Sequence, residues 1–242
     1  MVLRSRRARL HVGASRVHKW LALVIGAQLL LWFTSGLVMS LLPIERVRGE
    51  HLVRREQAAS LPDALLPSLL DRPDVRALGP VKAVTFRMLL DRPVAELTLM
   101  DDRVRLLDAA SGRPLPALDA RNAEAIARSA YVGSPPSARV ERVLDPITEY
   151  KGRLPAWRVM FEDREATRVY VDAATGRIGA VRTGTWRLYD FFWALHIMDW
   201  KNHEDFNTPW LLAFAAGGLL LALAGAVLLF MRWPRRRRRA IG

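Results

Sequence analysis

The sequence contains no cysteine and only five histidines among its 242 residues. Without cysteine the chain can form no disulfide, no thiolate metal site and no Cys-x-x-Cys-His haem attachment. It also lacks a glycine-rich phosphate loop, a His-Glu-x-x-His metal helix and a Gly-x-Ser-x-Gly nucleophile turn. The acidic residues of the central region are scattered among arginines, as on a solvated surface. We therefore predict neither a catalytic residue set nor a metal site.

Acidic residues are also absent from both ends of the chain, which explains most of the formal net charge of +13. Residues 1–19 and 232–242 together hold 12 of the 37 basic residues and none of the 24 acidic residues. The chain between these basic tails is therefore nearly neutral. A nucleic-acid-binding domain would carry its positive charge on a folded face, so we exclude nucleic acid as a partner.

Each basic tail adjoins an uncharged apolar run, residues 20–42 and residues 209–231. A helix of that length is about 35 Å long at ~1.5 Å per residue, enough to cross a hydrocarbon core of ~30 Å. The first run exceeds the roughly 7–15 apolar residues of a signal peptide, and no small-x-small cleavage pattern follows it. We therefore predict two retained transmembrane helices in a lipid bilayer. Arginine on the outer side of both runs predicts that both termini are cytoplasmic. Residues 43–208 then lie on the opposite side of the membrane.

The region between the spans reads as α+β. Residues 157–161 and 167–171 alternate apolar with polar side chains and predict an antiparallel hairpin, followed by a short strand over residues 178–181. The alanine-rich residues 119–131 predict a helix with Asp119 as its N-cap.

The two halves of this region contain similar sequences, which are separated by 64 residues. Residues 108–113 read Asp-Ala-Ala-Ser-Gly-Arg, and residues 172–177 read Asp-Ala-Ala-Thr-Gly-Arg. Each copy ends a β-like run and follows a candidate helix, residues 61–70 in the first copy. Asp-x-x-Ser/Thr-Gly is also a common turn on its own. The matching flanks favour a true repeat, in the order helix, strand, strand, turn, strand.

Three short stretches of this sequence resemble a known family. Residues 171–178 (Val-Asp-Ala-Ala-Thr-Gly-Arg-Ile) resemble the end of the PepSY domain. Residues 18–21 (His-Lys-Trp-Leu) and 31–37 (Leu-Trp-Phe-Thr-Ser-Gly-Leu) resemble the leading helix of PepSY-associated transmembrane proteins, and Leu195-His196 resembles their second histidine motif. The resemblance implies a membrane-anchored PepSY-like module that binds or regulates a partner. PepSY domains occur as inhibitory propeptides of secreted metallopeptidases and in membrane proteins of iron acquisition and reduction.

The same resemblance implies an alternative function, because some larger members with four or more spans resemble b-haem ferric-siderophore reductases. His18 and His196 are then the candidate haem ligands. The predicted topology places them ~30 Å apart, so one chain cannot bring both to one iron unless residues 186–200 enter the membrane. A homodimer or a partner subunit would have to supply the second imidazole. Otherwise His18 is an interfacial anchor and His196 a packed helix residue; His11, His51 and His203 are expected to be exposed.

Aromatic residues are concentrated in residues 186–208, just before the second apolar run. We predict an interfacial aromatic helix over residues 186–200, ending in a polar turn before Pro209. A sharper alternative is an aromatic cage for a haem, flavin or quinone edge around His196. Phe192, Trp193 and Trp200 would form it, because they lie at i−4, i−3 and i+4 on one helical face.

Small residues recur along the second apolar run at positions that share one helical face. They are Ala215, Gly218, Ala222 and Gly225. Small side chains let helix backbones approach closely in lipid. This face predicts packing against the first span or against a second copy of the chain.

These interpretations define the predicted organisation of the chain. The fold class is membrane-anchored α+β, with two transmembrane helices flanking tandem helix-plus-hairpin repeats. The segments are a basic tail (1–19), the first span (20–42), a degenerate first PepSY-like repeat (43–118), a second repeat (119–185), the aromatic helix and turn (186–208), the second span (209–231) and a basic tail (232–242). We expect an accessory protein of the bacterial inner membrane, with residues 43–208 in the periplasm and a periplasmic protein or membrane complex as partner.

The topology can be tested with reporter fusions. Fusions after Leu42 and at Gly184 should report the periplasm, and a fusion after Gly242 should report the cytoplasm, because arginine-rich flanks stay inside. A periplasmic carboxyl terminus would refute the assignment.

Overall fold

The computed structural model describes the backbone of residues 2–55 and 72–232, and side chains within 19–55, 72–73 and 75–226. The predicted helix over residues 61–70 and most of the second basic tail lie outside these residues. The chain divides into two compact units: the helical unit, with residues up to Leu41 and from Asp190 onward, and the central unit, Leu42–Tyr189.

As the sequence predicts, two long helices flank an α+β region. The helices are α1 (Val2–Leu41), α2 (Ile44–Val47), α3 (Pro73–Arg76), α4 (Ala120–Ala130), α5 (Gly184–Ile197) and α6 (Pro209–Arg232). The strands are β1 (Val81–Leu89), β2 (Arg92–Leu99), β3 (Val104–Asp108), β4 (Ala138–Val143), β5 (Ala156–Phe161), β6 (Arg168–Asp172) and β7 (Ile178–Arg182).

The helical unit exposes apolar side chains along most of α1 and α6. Residues 19–41 of α1 and 209–226 of α6 have mean hydropathies of 2.0 and 1.8, yet only 11% and 6% of them are buried. Leu30 and Phe33 are about 70% exposed. A core helix of a soluble protein buries such side chains, whereas a membrane helix exposes them to lipid. The two helices have the length and composition of membrane spans.

The central unit contains two antiparallel sheets, in the orders β1-β2-β3 and β4-β5-β6-β7. Helix α4 packs on the second sheet against β4, β5 and β6. Its N-cap is Asp119, as predicted, with the carboxylate accepting from the Asn122 backbone N–H at 2.8 Å. Ala123, Ile126 and Ala127 of α4 bury one face against Val159 and Val169. The first sheet has its own core around Ala95, Leu97 and Leu107.

The two six-residue turns of the repeat have the same hydrogen bonds. Gly112 N–H donates to the Asp108 carbonyl at 2.8 Å, and Gly176 N–H donates to the Asp172 carbonyl at 2.7 Å. Both glycines adopt a left-handed φ, of 67° and 75°. The Asp carboxylates likewise accept from the backbone N–H of Ser111 and Thr175. The repeated hexapeptide of the sequence therefore forms the same turn twice.

The turn of the second copy is followed by strand β7, whereas in the described part of the chain no strand lies between the turn of the first copy and α4. Val171 pairs with Ile178 between β6 and β7, and Leu107 pairs with Pro114 at the same offset of 64 residues, but only as an isolated bridge. Proline has no N–H to donate to a ladder, so a strand cannot develop there.

Each copy also contains a strand that was not predicted. Strand β1 precedes the pair β2 and β3 in the first copy, and β4 precedes the hairpin of β5 and β6 in the second. Strand β4 reads Ala-Arg-Val-Glu-Arg-Val, whose alternation is interrupted by a pair of charged residues. Edge strands expose one face and one side, so charged residues are common on them.

Gly176 offers a test of how the repeats pack. A Cβ there would lie 2.8 Å from the Cδ1 atoms of Leu89 and Leu118, and the positive φ would add strain. We expect Gly176→Ala to cost about 2–4 kcal/mol of unfolding free energy, from overpacking plus a left-handed alanine. Gly133→Ala is the matched control, because Gly133 also has positive φ but nothing within 4 Å. Equal losses in denaturant titrations of the detergent-solubilised variants would contradict this packing.

Candidate functional site

The strongest candidate in the helical unit is a hydrogen bond between α1 and α5. Ser35 Oγ lies 2.9 Å from Nδ1 of His196, and Ser35 is fully buried. Gly36 lies next to the imidazole, and a Cβ there would lie 3.6 Å from His196 Cε1, an ordinary van der Waals distance. The Trp32 ring is tilted against the imidazole at a centroid distance of 6.4 Å. The carboxyl end of α5 therefore contacts the apolar helix α1 through a polar pair.

The contacts of Ser35 favour one tautomer of His196. The Ser35 hydroxyl has one hydrogen, which it donates to the Trp32 carbonyl at 3.0 Å. Its oxygen can then accept the hydrogen of His196 Nδ1, and in that tautomer neutral His196 carries its lone pair on Nε2. The described part of the chain offers Nε2 no hydrogen-bond partner. A lone pair on the outer nitrogen, with the other N–H anchored, is the arrangement of histidines that bind metals.

Two further polar atoms lie along the same face of α1. The side-chain nitrogens Gln28 Nε2 and Trp32 Nε1 are buried and have no hydrogen-bond partner in the described structure. Residues 28, 32 and 35 follow the i, i+4, i+7 spacing of one helical face. Polar side chains within an apolar helix are a signal of function, and this signal is already present in the sequence.

The two candidate haem ligands do not meet in one chain. The side chain of His18 lies outside the described residues, but its backbone is part of α1. It precedes Ser35 by 17 residues, which corresponds to ~25 Å along the helix. His196, held beside Ser35, is therefore far from His18 along α1.

The predicted aromatic cage does not form as expected. Helix α5 ends at Ile197, and Met198 has a left-handed φ of 56°. Trp200 therefore leaves the helical face of His196 and is 60% exposed. Trp193 contacts Phe206 edge-on at 5.4 Å and donates its indole N–H to the His203 carbonyl at 3.0 Å. The aromatic neighbour that His196 has is Trp32 of the first apolar helix.

The loop between α5 and α6 is organised by Asp199. Its carboxylate is buried and accepts from four backbone N–H groups at 3.0–3.1 Å, those of Lys201, Asn202, Glu204 and Asp205. These donors stabilise the charged form and hold the pKa of Asp199 well below its usual range. The sequence predicts an exposed His203, but its side chain is half-buried, with Nδ1 2.7 Å from Asp190 Oδ2. The expected exposure of His51 is confirmed, and it pairs with Glu165 at 2.9 Å.

The central unit contains an open cleft of about 470 Å³, lined by both repeats. Its charged lining residues are four arginines, Arg54, Arg55, Arg87 and Arg177, which we call the arginine cleft. Glu96 stands beside them and shares its Oε2 between Arg177 Nε at 2.7 Å and Arg87 Nε at 3.4 Å. The sequence does not show that these arginines share a site. Arg87 lies in the first sheet and Arg177 in the turn of the second repeat, and only the fold brings them close to Arg54 and Arg55.

Burial lowers the pKa of two of these arginines. For Arg87 burial is the largest cause, and Glu96 opposes it. For Arg55 burial again leads, and Glu50 opposes it. Arginine still stays protonated at neutral pH. The cleft therefore holds partly buried positive charges.

Comparison with known proteins identifies the family. The sequence model described as the PepSY-associated TM region matches residues 15–241. The chain belongs to this family. The resemblance noted in three short stretches is thus confirmed for this PepSY-associated membrane protein. No curated protein and no solved structure matches it.

The PepSY-associated protein shows no metal cluster in the part that the structure describes. No group of three or more His, Asp or Glu side chains is placed there to hold an ion.

The predicted small-residue face of α6 is divided between two environments. Gly218 is buried, and a Cβ on it would lie 3.3 Å from Leu29 Cδ2 of α1. The adjacent Gly217, which the prediction omitted, is closer, with a Cβ 2.8 Å from Ile25 Cδ1. The other three small residues are exposed in one chain: Ala215, Ala222 and Gly225. Helix α1 therefore packs on the glycine pair and leaves the rest of the face open.

Leucine substitutions should separate these two parts of the face. We expect Gly217→Leu to lower the melting temperature in detergent, because its side chain would push Ile25 away and open the α1–α6 seam. Gly225→Leu is the control, since nothing lies within 4 Å of that position. Equal melting temperatures would contradict the seam. Loss of inter-chain crosslinking in Gly225→Leu would identify a second copy on the open part.

The Asp199 loop predicts a dependence of stability on pH. Because the folded pKa is depressed, this carboxylate stabilises the fold above its unfolded pKa of ~3.9, and the stabilisation disappears as the pH falls below that value. Asp199→Ala should melt below the wild type at pH 7, and the difference should narrow below about pH 4. Asp205→Ala, which removes a carboxylate accepting one backbone N–H, is the control. A difference independent of pH would show that the charge is not responsible.

Proposed function

We propose that this PepSY-type membrane protein is an accessory component of a membrane system in the bacterial inner membrane. In this proposal both termini are cytoplasmic, and residues 43–208 present a binding or regulatory module in the periplasm. Arginine-rich tails beside both apolar helices and a nearly neutral region between them support the orientation.

The arginine cleft is the observation that carries the proposed binding function. Its volume of about 470 Å³ falls within the roughly 300–1,000 Å³ of known ligand sites. Its walls come from both repeats. The first repeat contributes Thr85 and residues 87–90, and the second contributes Ile126, Ser129, Ala130 and residues 176–178. The tandem arrangement thus creates a concave surface that neither repeat has alone.

Site-specific photocrosslinking in cells tests this function. A photoreactive residue replacing Thr85, an exposed residue of the cleft, should yield a crosslinked periplasmic protein upon illumination. The same residue replacing Leu144, which is 62% exposed outside the cleft, is the matched control. No adduct at Thr85, or the same adduct at both positions, would count against a binding function of the cleft.

Electron transfer through b-type haem is a second candidate, favoured by the hydrogen bond that leaves Nε2 of His196 with its lone pair. When bound, such a haem would supply a one-electron carrier for ferric or flavin reduction. His196 would hold such a haem through Nε2, with Ser35 orienting the ring. His18 of the same chain does not supply a second histidine, so another copy or another subunit would have to provide it.

A reduced-minus-oxidised absorbance spectrum of the purified full chain tests this candidate. A b-haem band that disappears in His196→Ala and weakens in Ser35→Ala would support it, because Ser35 fixes the ring orientation. His51→Ala is the control, since its imidazole lies outside the helical unit. The absence of a band in membranes that retain the native partners would exclude haem at this histidine.

A further inference from the structure

We infer that the arginine cleft recognises an extended acidic segment of a partner protein. The inference rests on the proposed binding function and adds the chemistry of what is bound. It follows from three features of the cleft: its charge, its apolar walls and the strand at its edge.

The charge of the cleft is of one sign. All of its charged lining residues are arginines, and no carboxylate among the described residues lines it. Glu96 accepts from both Arg87 and Arg177, so one carboxylate faces two guanidinium groups. Arg55 donates to the Arg48 carbonyl at 3.2 Å, and Arg54 has no side-chain partner in the described structure. Guanidinium groups in such a site pair with carboxylates through two parallel hydrogen bonds.

The walls of the cleft favour a peptide over a free anion. Apolar side chains lie between the arginines, those of Met88, Leu89, Ile126 and Ile178. A small anion would leave these surfaces uncovered, whereas a peptide with alternating acidic and apolar residues would cover them. The cleft therefore offers both kinds of contact in one place.

Strand β1 provides the backbone that an extended peptide needs. It lies at the edge of the first sheet, and its residues Thr85, Arg87, Met88 and Leu89 line the cleft, a stretch of ~17 Å in extended backbone. Within the described part of the chain, its outer edge makes no backbone ladder. A bound segment can add to such an edge as a further strand, with affinity from main-chain hydrogen bonds and specificity from side chains.

Fluorescence polarisation with the full-length protein in detergent tests the inference. The probes are a labelled six-residue peptide of alternating glutamate and valine and its glutamine–valine counterpart. We expect the acidic peptide to bind and the neutral one not to bind. The double variant Arg54→Gln/Arg55→Gln should weaken binding on the order of tenfold or more, because two charge-assisted contacts are lost.

Arg139→Gln is the matched control, because Arg139 is an exposed arginine of β4 outside the cleft. It removes a positive charge without touching the cleft, so it should leave the affinity for the acidic peptide unchanged. Equal binding by the double variant and by the control would overturn the inference. So would binding of the neutral peptide, or displacement of the acidic peptide by free glutamate or inorganic phosphate at the same concentrations.

A failure of this inference can be distinguished from a failure of the proposed binding function. A crosslink at Thr85 in cells, together with no acidic-peptide binding, would retain the binding module and reject only the acidic ligand. Loss of melting cooperativity in the double variant would be a folding defect. In that case Arg54→Gln alone decides the outcome, because its side chain has no partner to lose among the described residues. An unchanged affinity in this single variant would overturn the inference.

Discussion

Two helices that expose apolar side chains along most of their length can persist only where hydrocarbon replaces water. This requirement governs the helical unit, because lipid solvates leucine and phenylalanine but offers nothing to a polar atom. The hydroxyl of Ser35 and the Nδ1 hydrogen of His196 therefore pair with each other. The same rule makes Gln28 Nε2 and Trp32 Nε1 notable, since both are buried donors without a described partner. Burying such groups without a hydrogen bond costs free energy.

The central unit shows how a repeat can create a site without containing one. Each copy closes with the same turn, in which an aspartate carboxylate caps the backbone and a glycine takes a left-handed φ. Proline at position 114 stops the fourth strand in the first copy, whereas Ile178 continues it in the second. The copies thus differ at their ends, and Gly176 of the second turn packs on Leu89 and Leu118. The arginine cleft lies beside this junction.

The sequence predicted the local features well because they depend on short-range chemistry. The N-cap at Asp119, the hairpin predicted over residues 157–161 and 167–171 and found as β5 and β6, and the helix start at Pro209 all follow from neighbouring residues. Prediction failed where the outcome depends on distant residues. The aromatic pattern predicts Trp200 on the face of His196 by extending the helix past Ile197, whereas the Asp199 carboxylate draws four backbone N–H groups into a loop instead. The sequence predicts His203 in solvent, but the fold places it on Asp190.

What the sequence by itself determined is the class of the molecule: two apolar helices, two related α+β repeats and membership of the PepSY-associated family. Hydropathy, turn chemistry and repeat spacing are local quantities, so they can be read without a fold. Only the tertiary structure decided which nitrogen of His196 is free and which arginines share a cleft. Those facts depend on which atoms come within about 3 Å of each other across long stretches of chain, and no local pattern records such distances.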